Sequence, residues 1–525
     1  MRAQELYYEI LRQLREEEFY ALLADFISYN RIQGTSEMEE AMVFVKEVFD
    51  AKGVLNTLSV KQLVYGERTY GLPYFRGWKP RYQKATIRYG SKRIVLEFNL
   101  NPLTFVQRSG NIEGRYRISQ GNFKNTSDSF ILVSDLGKGI LEYLFHSRAK
   151  GVVLYDKSAP YNARKKFQFW YYSPKEPEFT GVVVTRREAD EIKHHIEAKR
   201  DIFIEIKSSS DFYDPENLYL LARIEGERED AILYVAHTCH ARGEANDNGS
   251  GASSLIYAAI TMQRMIDKGI LKKPPYTVYF LLVPEMWGSA LFVEEKRKLL
   301  KSIFAGFNFD MVGSSIEKTG GRVVIEKPHG IIKTNIHTVF KSHVESVQRF
   351  LDFPYAVYIR NFEGGSDHLI FQNTEFEIPM PMLIHWPDRF YHSDMDVISN
   401  IDPRAIWRNV ILMVSMPYLI RKNKIVFRKR RVLQSGKDVY RVVRKGVYIP
   451  TMDEDFDTRI RWFKLLLEKK GYVNFMHFFY YIDGMSGFSD ILSRLRKDSG
   501  KKVDVEIYRE YVTYLLNKDV IKVKS

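Results

Sequence analysis

Five side chains of the types that bind divalent metals occur in the middle of the chain: His237, Asp247, Glu285, Asp310 and His392. Imidazole nitrogens and carboxylate oxygens without a cysteine cluster suit zinc, and they also suit cobalt or manganese. Several carboxylates that are buried together repel one another, and a divalent cation relieves that repulsion. The residue types therefore predict a centre that holds two zinc ions.

Short apolar segments are predicted to position three of these residues. The segments 232–236, 276–283 and 302–309 precede His237, Glu285 and Asp310 respectively. Continuous apolar runs of this length are typical of strands that are buried on both faces of a parallel sheet. The carboxyl ends of such strands form the edge at which open α/β sheets bind ligands.

The remaining two residues are predicted to lie in loops at the same edge. Asp247 precedes a predicted helix at 252–260, among asparagines and glycines that permit a tight turn. His392 follows a predicted strand at 381–385. Taken alone, Asp247 and His237 each have a simpler interpretation. Asp247 would cap a helix, and His237 would be an ordinary buried histidine.

The order of the motifs resembles the di-zinc aminopeptidase superfamily, metallopeptidase family twenty-eight. Within it, the chain is most similar to a prokaryotic branch of intracellular aminopeptidase-like proteins that end in a winged helix. The motifs that carry the resemblance are RIQGTSEM at 31–38, HTCH at 237–240, ANDN at 245–248, PE at 284–285, NFDMVG at 308–313 and GSDH at 365–368.

The resemblance implies an α/β fold in which a mixed β-sheet is sandwiched by helices, of the zinc aminopeptidase and phosphorylase-hydrolase type. It makes Asp247 the carboxylate that bridges two metals. His237 and Asp310 would complete one metal, and Glu285 and His392 would complete the other. A water that bridges the metals would attack the amide of a short peptide, and a nearby carboxylate would take its proton.

Two positions depart from the family pattern. Pro284 replaces the first glutamate of a pair, which is the usual general base. Either Glu285 is the base and its metal lacks a ligand, or Glu285 is the ligand and the base is another residue. The candidates are Glu363, Asp367 and Glu244, in that order.

The second departure is Cys239, which replaces an aspartate that orients the first histidine in many relatives. A thiol is a poorer supporting group than a carboxylate, so His237 is expected to be held differently. Cys239 is interpreted as a supporting residue, with direct metal binding as the alternative. His240 is either a supporting residue or an extra ligand.

The length of 525 residues predicts several domains. The catalytic domain is assigned to 1–55 and 217–422, and its first part is predicted to contain two helices. Residues 56–216 are assigned to an inserted β-rich domain that is similar to a protease-associated domain. Residues 423–525 are assigned to a basic C-terminal domain similar to a winged helix, with a hairpin that turns at 435–437.

Composition and charge limit the setting. The single cysteine excludes an internal disulfide bond, and neither a signal-peptide core nor a run of eighteen apolar residues is present. The sequence therefore predicts a soluble cytoplasmic protein without a membrane segment. From Arg421 onward, the sequence contains 25 lysines and arginines and 13 acidic residues, which gives +12 of the net charge of +14. This basic region suggests either nucleic-acid binding or a structural or oligomerising role, including homo-oligomer formation.

Three classes of function follow. The first is a metal-dependent hydrolase, a cytoplasmic di-zinc aminopeptidase that acts on short peptides or a related amide. The second is a single-metal transferase of the glutaminyl cyclase type. The third is a catalytically silent metal-binding protein that uses its basic C-terminal domain for nucleic-acid binding or assembly.

Overall fold

An eight-stranded mixed sheet lies at the centre of the protein. The computed structural model describes residues 2–64, 66–120, 127–134, 144, 147–172, 176–373, 375–428, 439–444, 446–453, 455–468 and 473–523. In spatial order, the strands of the central sheet are Leu55–Gln62, Glu216–Ile224, Thr277–Val283, Ala231–His237, Ile303–Phe309, Met382–His385, Val323–Glu326 and Val357–Arg360.

The four middle strands of this sheet run parallel to one another. Three of them are the strands predicted before His237, Glu285 and Asp310, and their predicted existence is confirmed. Their apolar runs are continuous because both faces of the sheet are covered. In Ala231–His237, for example, Tyr234 contributes to the core on one face and Leu233 to the core on the other.

Six long helices cover the first face of the sheet. They are Ala3–Leu11, Glu16–Ser28, Ser36–Ala51, Gly251–Asp267, Ile336–Phe350 and Pro403–Leu419. The prediction of two helices in residues 1–55 is wrong, because three are present. The first helix ends at Leu11, and a new one begins with Glu16, Glu17 and Glu18, whose charges favour a helix N-terminus.

The second face is covered largely by the C-terminal region. The helices on this side are Trp287–Glu295, Phe456–Glu468, Phe475–Phe479, Phe488–Ser499 and Val505–Asn517. Strands Tyr440–Val442 and Ile521–Val523 pair antiparallel beside them. Trp462 belongs to the same apolar core as Leu233 of the central sheet, so this region shares its core with the catalytic sheet. The turn of the predicted hairpin, 435–437, lies outside the described residues.

A second sheet of seven strands forms the inserted region. In spatial order its strands are Lys92–Glu97, Gly77–Tyr89, Phe203–Tyr213, Ile112–Gln120, Ser129–Ser134, Gly151–Tyr155 and Thr180–Val183. Helix Arg186–Glu197 packs against it. Strand Leu55–Gln62 pairs with Glu216–Ile224 in the central sheet, although residues 56–62 were assigned to the insertion. The strand pattern alone does not specify which sheet a strand joins.

Short elements complete the described chain. The short strands are Arg68–Thr69, Leu72–Pro73, Lys333–Thr334 and Phe427–Arg428, and the short helical segments are Pro102–Thr104, Asn246–Ser250, Arg297–Leu300, Ile316–Thr319, His368–Phe371, Ile398–Asn400, Lys422–Lys424 and Pro450–Met452. Every helix within the described ranges is too short or too polar to cross a bilayer.

Candidate metal centre

Parallel strands bring the candidate ligands to one edge of the central sheet. His237 is the last residue of its strand and is level with Val283 at the end of the neighbouring strand. Glu285 follows Val283 after one residue, and Asp310 directly follows the strand on the other side. The carboxyl ends of three adjacent strands thus carry three of the predicted site residues.

A first group of ligands consists of His237, Asp247 and Asp310. The Nε2 atom of His237 lies 3.2 Å from Asp310 Oδ1 and 3.4 Å from Asp247 Oδ1. All three residues are buried, and their ligand atoms lie within 4.8 Å of one another. This group joins the three residues that the resemblance assigned to one metal.

A second group consists of His240, Asp247 and His392, again with ligand atoms within 4.8 Å of one another. His240 Nε2 lies 3.0 Å from Asp247 Oδ1, and His392 Nε2 lies 3.1 Å from Asp247 Oδ2. Asp247 therefore stands between the two groups. His240 occupies the position in the second group that the resemblance gave to Glu285.

Glu285 lies beside the two groups. With His237, Cys239 and His240 it forms a third group whose possible ligand atoms lie within 4.8 Å of one another, and it lines the same pocket as the other ligands. Its backbone is fixed, since Gln33 Nε2 donates to the Glu285 carbonyl at 2.8 Å and the Glu285 N–H donates to Cys239 Sγ at 3.3 Å.

The other carboxylates considered as a base have different surroundings. Asp367 is fully buried, and its Oδ1 accepts hydrogen bonds from Met286 N at 2.8 Å and Ser289 Oγ at 2.7 Å. Glu363 lines the ligand pocket but is half exposed, and it pairs with cationic side chains. Glu244 lies on the far side of His240, with Oε2 at 3.8 Å from His240 Nδ1.

Supporting contacts hold the ligands in place. Cys239 Sγ lies 3.6 Å from His237 Nδ1. The family resemblance implies a supporting group at this position. Asp396 accepts hydrogen bonds from the backbone N–H groups of Asn246 and Asp247 at 2.8 and 2.9 Å. This carboxylate fixes the loop that carries Asp247, and no sequence motif pointed to it.

The backbone of the centre is strained at four positions that are not glycine. The φ angles are positive at His240 (151°) and His392 (57°), and also at Met286 (64°) and Met311 (51°), which follow the two strand-end carboxylates. Positive φ costs about 1–3 kcal/mol per residue and is concentrated at functional sites in proteins. The strain therefore marks this edge of the sheet as a functional site.

Burial and neighbouring charges shift the pKa values of the carboxyl groups at the centre. Burial raises the pKa of Glu285 to about 8, with a further contribution from the carboxylates of Asp310 and Asp367. Burial raises the pKa of Glu244 to about 7. Burial also acts to raise the pKa of Asp247, but contacts with His240 and His392 outweigh it and hold the pKa well below its usual range.

The donor set fits zinc. Asp247 Oδ2 accepts no hydrogen bond from the described residues, although His392 Nε2 lies 3.1 Å away, because their geometry is not that of a hydrogen bond. Buried oxygens that lack donors are costly unless a cation binds them. Two nitrogen and oxygen tripods that share one carboxylate match the ligand types and numbers of zinc sites with open positions.

The ligand pocket has a volume of about 170 Å³. Beyond the ligands, its wall is largely apolar and contains Met311, Met382, Ile384, Trp386 and Tyr391. Glu363 and Arg360 also line it, and Arg360 pairs with the buried Glu326 at 2.8 Å. The pocket can hold a small apolar group beside the metal ligands.

Comparisons with known proteins show what the chain is similar to. Residues 220–416 match the family model of Peptidase family M28. A curated protein of Clostridium acetobutylicum, described as a polysaccharide biosynthesis protein with an aminopeptidase-like domain, is 25% identical over 232 residues. These residues are 43% of this chain and 49% of that protein, so the chain spans about half the length of its curated relative.

Solved structures share the fold. The Peptidase M28 precursor from Shewanella amazonensis has a TM-score of 0.58 and 12% identity, over 79% of this chain and 96% of that chain. A zinc aminopeptidase from Bacillus subtilis has a TM-score of 0.53 and 15% identity, over 81% and 96%. A structure from Clostridium acetobutylicum described as a peptidase has a TM-score of 0.57 and 17% identity, over 100% of both chains. The predicted mixed sheet between helices is confirmed.

Proposed function

We propose that this chain, whose residues 220–416 match the model of Peptidase family M28, is a di-zinc hydrolase that cleaves short peptides, as an aminopeptidase, or a related amide. One observation carries the proposal. Two tripods of histidine and aspartate share Asp247, all buried except the partly exposed His392, and a carboxylate, Glu285, lies beside them outside both tripods.

The chain's own residues divide between two metals. His237, Asp247 and Asp310 would hold one zinc ion, and His240, Asp247 and His392 would hold the other. Bound zinc would supply polarisation of the scissile carbonyl and a lowered pKa for the attacking water. The resemblance gave the second metal Glu285 instead of His240, and the 3.0 Å approach of His240 Nε2 to Asp247 favours the histidine.

Glu285 is the residue that we assign as general base. Its carboxylate lines the ligand pocket beside both tripods, where it can take a proton from the attacking water. The same group then returns the proton to the nitrogen of the leaving amine as the C–N bond breaks. Asp367 is less suited, because its Oδ1 already accepts two hydrogen bonds.

The same reasoning excludes the other two carboxylates from this role. Glu363 is half exposed, and its carboxylate is engaged by Lys501 at 3.5 Å. Glu244 Oε2 accepts the Ala241 N–H at 2.7 Å and lies behind the imidazole of His240. Glu244 is therefore better placed to accept the Nδ1 proton of His240 than to meet a substrate.

The test is metal content measured beside hydrolysis of aminoacyl-amide reporters, with and without a chelator. About two zinc ions per chain and chelator-sensitive hydrolysis are expected. Glu285→Gln is expected to keep both metals and to lose about 10²- to 10⁴-fold in kcat. His240→Ala is expected to keep one metal.

Two results would contradict the assignment. Loss of one metal from Glu285→Gln would make Glu285 a ligand, and full metal content in His240→Ala would remove His240 from the second tripod. Glu363→Gln serves as the comparison, since a loss of turnover in that variant instead would make Glu363 the base.

A further inference from the structure

A segment of the inserted region passes beside the metal centre with its side chains alternating between two environments. Phe167, Phe169 and Tyr171 are buried in the core of the inserted sheet. The intervening residues, Lys166, Gln168 and Trp170, line a pocket next to the candidate ligands. Alternation of this kind is the geometry of an extended chain. Residues 166–170 thus form a wall between the inserted region and the catalytic domain.

This second pocket has a volume of about 260 Å³, at the small end of the range for ligand pockets. It shares His240, Glu285, Gly365 and Tyr391 with the pocket that contains the metal ligands. Two pockets therefore meet at the proposed general base. A substrate whose scissile bond lies beside Glu285 would place the groups on either side of that bond in different pockets.

The second pocket offers hydrogen-bond donors and positive charge. Gln107 is 2% exposed, and its Nε2 finds no hydrogen-bond partner within the described part of the chain. Gln168 adds a second carboxamide, and Lys166 carries the one ammonium among the described lining residues. Glu285 is the one carboxylate among them. Such a lining matches a ligand with acceptor oxygens and a negative charge.

Lys166 lies where it can serve such a ligand. Its Nζ contacts Nδ1 of His240. When Nε2 of this histidine binds a metal, Nδ1 carries the ring proton, and an ammonium has nothing to donate to there. Glu244 Oε2, 3.8 Å from the same nitrogen, is an acceptor for that proton. The ammonium of Lys166 is then available to the pocket.

Resting on the proposed function, we infer that the second pocket binds the free α-carboxylate of the leaving group, so that the substrates are dipeptides and other short peptides with an unblocked C-terminus. Lys166 supplies the charge, and Gln107 and Gln168 donate to carboxylate or peptide oxygens. In the reaction, water adds hydroxyl to the carbonyl carbon, the C–N bond breaks, and the proton held by Glu285 passes to the leaving nitrogen. The products are two species with free carboxylates.

The experiment compares leucyl-alanine with leucyl-alaninamide on the zinc-loaded full chain. The free acid is expected to have a kcat/KM about tenfold or more above that of the amide, as for a hydrogen bond to a charged group. Lys166→Met and Gln107→Leu are expected to bring this ratio towards one. Lys207→Met is the matched control, because Lys207 pairs with Glu113 on the inserted sheet, lines neither pocket and should keep the wild-type ratio.

Calorimetry separates this inference from the proposed function. Zinc-loaded Glu285→Gln protein, whose turnover should be about 10²- to 10⁴-fold slower, is titrated with the same two ligands, and about tenfold tighter binding of the acid is expected. Equal binding of acid and amide, or equal kcat/KM values, would overturn the inference while leaving a hydrolase. Absence of hydrolysis of every peptide by the zinc-loaded wild type would instead refute the proposed function.

Discussion

Replacement of Asp394 by alanine is expected to weaken zinc binding at His392 while leaving the rest of the protein folded. Asp394 joins the loop of His392 to the inserted region. Its Oδ1 accepts the Arg164 N–H at 2.9 Å, and its Oδ2 accepts from Asn101 Nδ2 at 2.9 Å. Beside it, the Lys166 N–H donates to the His392 carbonyl at 2.7 Å. The insertion thereby holds a ligand that belongs to the catalytic domain.

The magnitude follows from these contacts. Each hydrogen bond to a carboxylate contributes about 1.5–3 kcal/mol, and the alanine variant loses two of them. The backbone of His392 is held at a φ of 57°, and a loosened loop can relax this strain, which is about 1–3 kcal/mol. Removal of groups that orient a ligand costs about 10- to 100-fold in metal affinity. We expect this loss at the tripod of His240, Asp247 and His392.

The assay is calorimetric titration of zinc into the chelator-treated full chain. Wild type should show two sites, and Asp394→Ala should show one unchanged site and one weakened by about 10- to 100-fold. Asp201→Ala is the control, because Asp201 forms an exposed ion pair with Arg117 on the inserted sheet. Two unchanged sites in Asp394→Ala would refute the idea that the inserted region positions His392.

Three further results are expected. In metal-free protein, Glu285 has a folded pKa of about 8 against an ordinary 4.5, so folding favours its protonated form and the stability that this provides is lost as pH rises through that window. Urea unfolding between pH 4.5 and 8 should therefore show the free energy of unfolding of wild type falling relative to that of Glu285→Gln, by up to about 1.4 kcal/mol per pH unit. A difference between the two proteins that does not change with pH would contradict the shifted pKa. Trp462→Ala should lower the free energy of unfolding by about 3–5 kcal/mol and leave a single unfolding transition, because Trp462 is 1% exposed in a core shared with the central sheet. A separate early transition would show that the C-terminal region unfolds independently. In the same zinc titration, Cys239→Ala should weaken the zinc affinity of the site at His237 by about tenfold, and Cys239→Asp should restore it. Equal zinc affinity in wild type and Cys239→Ala would show that the thiol does not orient this histidine.

The strands were predictable because their apolar sequences indicate burial on both faces of a sheet. A run such as 232–236 is apolar at every position, which is expected only of a strand with a core on both faces. Parallel strands then fix where the next residues go, so His237 and Asp310 were predicted to lie together, and their side chains are 3.2 Å apart. The break at residues 12–15 was missed, because no glycine or proline marks it.

The second tripod was only partly predictable. His240 lies in a loop, where neither the period of a strand nor that of a helix gives the direction of a side chain. Its φ of 151° turns the backbone at this residue, and the sequence carries no glycine that signals such a turn. The proposal of His240 rather than Glu285 as a ligand therefore rests on the coordinates and not on the sequence. The same holds for Gln107 and Lys166, which reach the centre from an insertion whose docking is not encoded by a local pattern.

The three regions of the chain meet at the candidate metal centre, and this bears on the role of the basic C-terminal region. Asn474 Nδ2 donates to the Glu363 carbonyl at 2.8 Å, and the Tyr480 hydroxyl donates to the Leu369 carbonyl. Both contacts brace the loop that borders the ligand pocket. The apolar faces of the C-terminal helices also pack against the second face of the central sheet. A structural role therefore explains these contacts without a nucleic acid.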